Sequence, residues 1–360
     1  MREDRGTGMA VAGLLQRFDG YQRRHRWVGL PLAVVYKFVD DQGTYQAALL
    51  SYYGFVSLFP LLLLAVTILG FVLANDPAAQ QAVLASALRN FPVIGDQIGA
   101  NVHSLHGSVA ALWIGIVVSL YGSLGITQAL LNAMCQMWAV PIAERPALPA
   151  AYGRGVLLLG LLALGVLATT GLSALGTATS GALAAGPLAG LGPVVPVVSL
   201  VIAVAVNVAV FLVGLRLITV APVGLRDLLP GAVAAAIAWQ VLQLVGTYLV
   251  GHELAGMSAS YGLFGIVLGL LAWIYVAVLI ILICAELNTV RVLGLSPRSL
   301  FSVMPDDPDM TIGDHRALTA YARTPRAKNY QDIDVTFEPP TESAGEDARA
   351  ARPGEGAADA

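Results

Sequence analysis

Six long apolar runs follow one another along the chain, and short segments rich in polar residues separate them. Each run holds about 20 mainly nonpolar residues, which is the length that a helix needs to cross a hydrocarbon layer about 30 Å thick. The runs cover residues 49–74, 109–131, 155–178, 194–218, 229–250 and 263–283. They are apolar on all sides rather than on one stripe, which is typical of membrane spans and not of soluble helices.

The runs must be helices if they lie in lipid. An unsatisfied backbone amide in hydrocarbon costs several kcal/mol, so only helices and closed barrels span a bilayer. A barrel would need short segments of alternating polarity, and the sequence lacks them. The pattern therefore predicts an all-α polytopic membrane protein with six transmembrane helices.

The distribution of Lys and Arg predicts the orientation. Seven of the twenty basic residues precede the first run and eight follow the last. The second loop holds Arg145 and Arg154, and the fourth holds Arg216 and Arg226, whereas the first, third and fifth loops together hold only Arg89. Short loops rich in basic residues stay in the cytoplasm. Both termini are therefore predicted to be cytoplasmic.

The chain divides in sequence into three parts. Residues 1–46 form a cytoplasmic N-terminal region, residues 47–290 a six-helix transmembrane domain, and residues 291–360 a cytoplasmic, largely disordered tail. The tail is rich in Pro, Ala, Gly and acidic residues and has no sustained apolar period. Its role as a solubilising segment or as a partner-binding one stays open.

An amphipathic helix is predicted just before the first run. Basic residues mix there with aromatic ones between residues 13 and 41, and Pro31 suits the first turn of a helix. Val34, Val35, Phe38 and Val39 then fall on one side. Such a helix is expected to lie on the anionic inner leaflet, either as an anchor or as a lipid-sensing surface.

Polar residues within the runs are candidates for a substrate path. Asn207 lies near the middle of the fourth run, and Gln240 and Gln243 share a face of the fifth. Pro60 removes a helical hydrogen bond in the first run and predicts a kink. The path candidates are Tyr52, Tyr53, Pro60, Asn207, Gln240 and Gln243. The alternative is that the amides only join packed helices.

Glu286 lies about one helical turn past the end of the sixth run. Because a carboxylate there needs a cation, it is predicted to pair with Arg154, Arg216 or Arg226. Asn288 belongs to the same candidate cytoplasmic latch. The latch is either structural or a gate. No carboxylate lies in the middle of a run, which argues against a proton-coupled mechanism.

Five motifs, in order, resemble the YihY/BrkB family of bacterial inner-membrane proteins over roughly residues 30 to 295. They are Ala47-Ala48-Leu49-Leu50-Ser51-Tyr52-Tyr53 with Ser57-Leu58-Phe59-Pro60-Leu61-Leu62, then Leu229-Pro230-Gly231-Ala232, Ser260-Tyr261-Gly262, Trp273-Ile274-Tyr275 and Ala285-Glu286-Leu287-Asn288. One departure is Cys284, where the family pattern has Gly. The resemblance implies six spans and a suspected transport function, including export of lipid-like molecules.

Members of this family have also carried the label ribonuclease BN. A nuclease needs clustered metal ligands, and the predicted cytoplasmic segments have no such cluster. The formal charge of −3 also argues against nucleic-acid binding. We therefore expect no enzymatic activity, no metal and no cofactor. Cys135 and Cys284 are expected to be free buried thiols.

Two functions from different classes follow. The first is a transporter or flippase for an amphipathic or lipid-linked substrate, with membrane lipids as partners. The second is a membrane scaffold or envelope-organising protein that binds a partner through its cytoplasmic ends. No ATP-binding loop is present in the sequence, so any pumping must use a gradient or a partner.

Overall fold

The computed structural model describes residues 17–72, 113, 125–184, 194–249, 255–300 and 310–337, and every regular element in these ranges is helical. In chain order we number the helices α1 (17–24), α2 (Arg26–Asp40), α3 (Gly43–Val72), α4 (125–137), α5 (Leu148–Ala184), α6 (Val194–Ile218), α7 (Leu225–Leu249), α8 (Ala255–Leu293) and α9 (Ile312–Arg323). A short 3-10 helix, Ile142–Glu144, precedes α5. The predicted all-α class is confirmed for this part of the chain.

Four of the described helices are long and apolar enough to cross a membrane. The segments are Leu148–Thr169, Leu200–Ile218, Leu225–Gly246 and Val267–Leu293, and they correspond to the third to sixth predicted runs. Most of the first run lies in α3, whose side chains are described only to residue 58, and most of the second run lies outside the described residues. The number of six spans therefore stays a prediction.

The four segments present apolar side chains on their outer surfaces. Val201 on α6 is 62% exposed and Leu244 on α7 is 65% exposed. Soluble proteins rarely expose apolar patches of more than a few hundred Å². The exposed Leu, Val and Ile side chains are instead suited to contact with lipid tails, and the protein is an integral membrane protein.

Small residues allow the spans to approach one another closely. Helix α5 packs along α6, and α6 packs along α7. Gly165 of α5 lies against Val210 of α6, and a side-chain methyl at Gly246 of α7 would overlap the ring of Trp273 of α8. Glycine at such points replaces side-chain bulk by backbone contact, as is usual between membrane helices.

The chain forms two compact units. The first, here called the terminal unit, comprises Met1–Ala33, Pro141–Ala143 and Leu293–Ala360, and the second, the bundle unit, comprises Val34–Val140 and Glu144–Val292. This grouping differs from the three-part division predicted from sequence, which stays a prediction. The N-terminal and C-terminal regions belong to one unit because hydrogen bonds join them, and sequence composition does not report such contacts.

Hydrogen bonds connect three distant segments within the terminal unit. The side-chain amide of Gln22 donates to the carbonyl of Arg298 at 2.6 Å, and the N–H of Leu300 donates to the carboxylate of Asp19 at 3.0 Å. The N–H of Ile142 donates to the carbonyl of Thr324 at 3.2 Å. The N-terminal region, the loop before α5 and the C-terminal region therefore meet in one place.

The tail that is predicted to be largely disordered contains one described helix, α9. Its first turn carries a capping box, in which Thr311 and Asp314 each bond the other's backbone N–H. The carboxylate of Asp314 also pairs with the guanidinium of Arg298 at 2.6 Å, and both groups are buried. Polar contacts of this kind take the place of an apolar core, so the apolar periodicity of the sequence does not indicate them.

Helix α2 covers part of the segment for which an amphipathic helix is predicted, and its apolar residues do not share one environment. Val34 and Phe38 are buried, whereas Val35 and Val39 are exposed. Lys37, expected on the polar surface, is one of the most deeply buried side chains. The helix thus turns apolar side chains outward and a charge inward, and its position at a lipid interface stays a prediction.

The core of the bundle unit brings six helices together. It includes Phe38 of α2, Leu50 of α3, Met134 of α4, Leu215 of α6 and Leu282 of α8, with residues of α7 beside them. Cys135 and Cys284 are free and buried, as predicted. This core surrounds a group of polar side chains that forms the candidate site.

Candidate functional site

The turn between α2 and α3 positions the first two charged residues of the site. Asp41 and Gln42 form this turn, in which Gln42 has a positive φ of 54° and the N–H of Asp41 donates to the carbonyl of Lys37 at 2.9 Å. One helical turn separates Lys37 from Asp41, and the ammonium of Lys37 pairs with Asp41 Oδ2. Both residues are only 1% exposed.

Two side-chain amides fix this turn from α3 and α4. Gln136 Nε2 donates to the backbone carbonyl of Asp41 at 2.9 Å. Gln46 Nε2 donates in turn to Gln136 Oε1 at 2.9 Å. Gln136 and Gln46 hydrogen-bond to the backbone and to each other, and not to the carboxylate of Asp41. The described partner of that carboxylate is the ammonium of Lys37.

Glu286 of α8 supplies a second buried carboxyl group beside the turn. It is 0% exposed, and its charged neighbours are Lys37, Asp41 and Asp40. Its carboxyl group lies at hydrogen-bonding distance from that of Asp41. Within the described residues, no donor reaches either oxygen of Glu286 or Oδ1 of Asp41. The two carboxyl groups therefore face each other without the donors that buried carboxylates normally have.

Asn288 lies next to this pair and joins α8 to the first turns of α7. Its Oδ1 accepts the N–H of Gly231 at 2.8 Å, and its Nδ2 donates to the carbonyl of Leu228 at 3.0 Å. Pro230 disturbs the helical hydrogen bonds at this point because its ring replaces an N–H and crowds the preceding turn. Asn288 thus hydrogen-bonds two backbone groups in the first turns of α7.

Gly231 allows this contact. A side-chain methyl there would overlap the carbonyl of Cys284 and the amide of Asn288. The segments Leu229-Pro230-Gly231-Ala232 and Ala285-Glu286-Leu287-Asn288, which are far apart in sequence, therefore meet through Gly231 and Asn288. We call Lys37, Asp41, Gln46, Gln136, Gly231, Glu286 and Asn288 the buried polar cluster.

Charged groups in the buried polar cluster destabilise the fold unless they are paired. Each buried ion loses several kcal/mol of hydration, which a partner must offset. The ammonium of Lys37 can balance one carboxylate, and the cluster contains two. An arrangement of this kind is more often found at functional sites than in structural cores, because a core is stable with fewer charges.

The structure places a cation beside Glu286 that the sequence did not suggest. Lys37 is the cation that acts most strongly on its carboxyl. Arg216 and Arg226 are exposed. The latch between Glu286 and Arg154, Arg216 or Arg226 stays a prediction. Asn288, the other candidate of that latch, bonds α8 to α7.

The substrate-path candidates differ in their exposure. Tyr52 is 59% exposed and lies with Tyr45 and Leu49 on the outer face of α3, whereas Tyr53 packs inward against the core and Gly125. The side chain of Pro60 lies outside the described residues. The three amide residues, Asn207, Gln240 and Gln243, are all half-buried. A path that these residues line together stays a prediction.

Five members of the buried polar cluster, Gly231 among them, are absent from the sequence-based candidates. Lys37, Asp41, Gln46 and Gln136 look like solvent-facing residues next to apolar runs. One signal could have identified the first two: Lys37 and Asp41 have the i, i+4 spacing of a helical ion pair, amid Val34, Val35 and Phe38. The two glutamines give no such signal, because their partners come from other helices.

Cys135 lies on α4 next to Gln136. Burial raises the pKa of its thiol above the ordinary value, although Arg145 and Arg154 lower it in part. The thiol is therefore a poor nucleophile. Among the described residues, no three His, Cys, Asp or Glu side chains are placed to hold a metal ion.

Comparison with known proteins identifies the family. No match was found among curated proteins or among solved structures. The sequence model of one family, described as Virulence factor BrkB, matches residues 34–295. That range holds every residue of the buried polar cluster and all four described spans. Because the match covers most of the sequence, the chain belongs to the BrkB family.

Proposed function

We propose that this protein moves an amphipathic or lipid-linked substrate across the bacterial inner membrane. The observation that carries the proposal is the buried polar cluster within a helical membrane bundle. Ionisable residues inside membrane proteins are rare and typically line substrate or ion pathways. The lipid-facing apolar surfaces of α3 and the four spans suit a substrate that enters from the bilayer.

The proposed topology has six spans with both termini in the cytoplasm. Hydrogen bonds within the terminal unit join the N-terminal region, residues 142–143 and the C-terminal region, which supports one common side for all three. Chain segments that start and end on one side cross an even number of times. Residues 43–140 would then contribute two crossings, and four would follow.

Labelling of introduced cysteines tests this topology. Arg145→Cys should react with a membrane-impermeant reagent only after lysis, and His103→Cys should react on intact cells. The native thiols are buried and give little background. The reverse pattern would invert the topology, and labelling of both from outside would contradict six spans.

The transport proposal is tested with purified full-length protein in lipid vesicles. A phospholipid with a fluorescent headgroup is bleached by an impermeant reductant, and transbilayer movement raises the bleached fraction above that of protein-free vesicles. The Glu286→Gln variant should slow the movement, and Glu144→Gln, which changes an exposed carboxylate, serves as the matched control. The panel includes anionic, zwitterionic and isoprenoid-linked lipids and small solutes. Inactivity across this panel would contradict the proposal.

The second candidate is a scaffold that uses the terminal unit. A folded surface in the C-terminal region favours this candidate, because Ile312 and Tyr330 are strongly exposed there. We propose neither enzymatic activity nor nucleic-acid binding, and we take membrane lipids to be the direct partners. Wild-type function in cells that express a flux-inactive Glu286→Gln variant would favour the scaffold over the transporter.

A further inference from the structure

The charge of the buried polar cluster does not balance if all three of its ionisable groups are charged. Lys37 carries one positive charge, and Asp41 and Glu286 would carry two negative ones. All three side chains are at most 1% exposed. An uncompensated charge at such a place is strongly destabilising, so one further positive charge is needed.

The hydrogen bonds lead to the same conclusion independently. Asp41 and Glu286 lie at hydrogen-bonding distance, but two ionised carboxylates hold only acceptor atoms. Gln136 and Asn288, the nearest amide donors, bind backbone carbonyls. Oδ1 of Asp41 and both oxygens of Glu286 therefore have no donor within the described residues. A single proton between the two carboxyl groups supplies the missing donor and the missing charge together.

We propose that Asp41 and Glu286 share one exchangeable proton and that the buried polar cluster is a proton-binding site. The bound form is neutral: one carboxylic acid, one carboxylate and the ammonium of Lys37. Release of the proton to water leaves two carboxylates and one ammonium, so the cluster then carries one net negative charge. This goes beyond the proposed function, since the site exists whether or not a substrate moves.

The surrounding charged groups act in both directions: the ammonium of Lys37 favours the carboxylate form of Glu286, whereas Asp41 and Asp40 favour the bound proton. From α2 and its turn, Lys37, Asp40 and Asp41 face Glu286, and Asp40 adds negative potential at the exposed end of the helix. Helix α4 contributes the neutral Gln136, and α8 itself contributes the neutral Asn288. Helix α7 presents backbone groups at Leu228 and Gly231.

Proton release should change the contacts between helices. The deprotonated pair holds two carboxylates that repel each other and that only one ammonium can satisfy. The α2–α3 turn and α8 then separate, or water enters. If the protein transports, this change supplies the coupling ion, and that step rests on the proposed function. The absence of a carboxylate in the middle of the predicted runs does not exclude proton coupling, because packing of the α2–α3 turn creates the acid pair.

Infrared spectroscopy of the full-length protein in phosphatidylethanolamine and phosphatidylglycerol vesicles tests the site. Wild type at neutral pH should show the carbonyl band of a buried protonated carboxyl group. Glu286→Gln and Asp41→Asn should each lose it, because one carboxylate and one ammonium remain and need no proton. The exposed Glu144→Gln variant should keep it. Circular dichroism and size-exclusion chromatography establish that the variants are folded.

A third substitution separates proton sharing from a purely structural role. Lys37→Met leaves two buried carboxyl groups without a cation, so both must be protonated and the band should grow about twofold. A wild type without the band, or a band that survives both Glu286→Gln and Asp41→Asn, would overturn the inference. If Lys37→Met does not fold, Glu286→Gln and Asp41→Asn still test whether Asp41 and Glu286 share a proton.

The coupling step is measured separately in the same vesicles. An imposed pH gradient should accelerate lipid or solute movement in wild type and should have no effect in Glu286→Gln. A proton band without any flux would leave the site intact and remove the transport proposal. Flux that continues without a proton band would contradict the proton-binding site and leave the transport proposal intact.

Discussion

Two buried carboxyl groups of this protein have opposite surroundings. Asp314 in the terminal unit accepts hydrogen bonds from Arg298 Nε at 2.6 Å, from the N–H groups of Ser299 and Thr311 at 2.9 Å each, and from the Thr311 hydroxyl at 2.7 Å. Glu286 in the bundle unit accepts none from the described residues. Asp314 is therefore a fixed structural element, whereas Glu286 is able to exchange a proton.

The electrostatics of Asp314 agree with its structural role. Burial alone raises the pKa of this carboxyl, but hydrogen bonds from Thr311, Ser299 and Arg298 outweigh burial and hold the pKa below its ordinary value. A carboxylate supplied with several donors stays ionised. Asp314 and Glu286 thus differ in the number of hydrogen-bond donors around the carboxyl group and not in how deeply it is buried.

The largest effect is expected for Asp314→Asn. The substitution leaves Arg298 buried without its counter-ion, which should destabilise the terminal unit by about 3–5 kcal/mol. Protease susceptibility of the full-length protein in detergent measures the loss. Glu286→Gln is the matched acid-to-amide control and should cost less than about 1 kcal/mol, because it removes no donor. Equal losses in both variants would contradict the difference between the two acids.

Asn288→Leu should have the next largest effect. It leaves the N–H of Gly231 and the carbonyl of Leu228 buried without a partner, and each such group costs about 1–3 kcal/mol. Equilibrium unfolding in mixed detergent micelles measures the change. Asn207→Leu, at a half-buried position on α6, serves as control and should change stability by less than about 1 kcal/mol. A neutral Asn288→Leu would argue against Asn288 as a link between α7 and α8.

A smaller effect is expected for Gly231→Ala. The added methyl would overlap Cys284 and Asn288, and overpacking of this kind typically costs about 1–3 kcal/mol. Gly153→Ala on α5 is the control, since no atom lies within 4 Å of the methyl it adds. That variant should gain up to about 1 kcal/mol from helix propensity. Thermal unfolding in detergent should show opposite shifts in the two variants.

Loss of the α9 cap should be milder still. Thr311→Ala removes the side-chain acceptor for the N–H of Asp314 and should cost about 0.5–2 kcal/mol. Thr311→Ser retains the hydroxyl and should restore most of the loss. Hydrogen exchange of the α9 amides measures the local effect. Faster exchange in the serine variant than in the alanine variant would contradict the capping role.

Acid should weaken the terminal unit, with no effect near neutral pH. Because the folded-state pKa of Asp314 is lowered, its stabilising contribution is complete above the unfolded-state pKa of about 3.9 and is lost as the pH falls toward the lower folded-state value. Proteolysis of wild type during acidification should therefore rise in this range. The increment should vanish in Asp314→Asn. If the stability of the terminal unit increased on acidification, Asp314 would not stabilise that unit as an ionised carboxylate.

Much of the fold could be predicted from local patterns. Long apolar runs identify the spans, because a helix in hydrocarbon needs apolar side chains on every face. Glu286 and Asn288 could be selected for the same reason: polar groups at the end of an apolar run are costly unless they have partners. The folded part of the tail could not be predicted, because α9 is held by ion pairs and caps rather than by apolar periodicity.

The sequence by itself determined that the chain is a helical membrane protein of the BrkB family, and it drew attention to Glu286. Only the tertiary structure decided that Lys37 and Asp41 accompany it. The physical reason is that hydropathy measures how one residue prefers its solvent, whereas pairing depends on where packed helices bring residues that lie about 250 positions apart. The unequal number of acids and bases in the cluster arises only when that packing is complete.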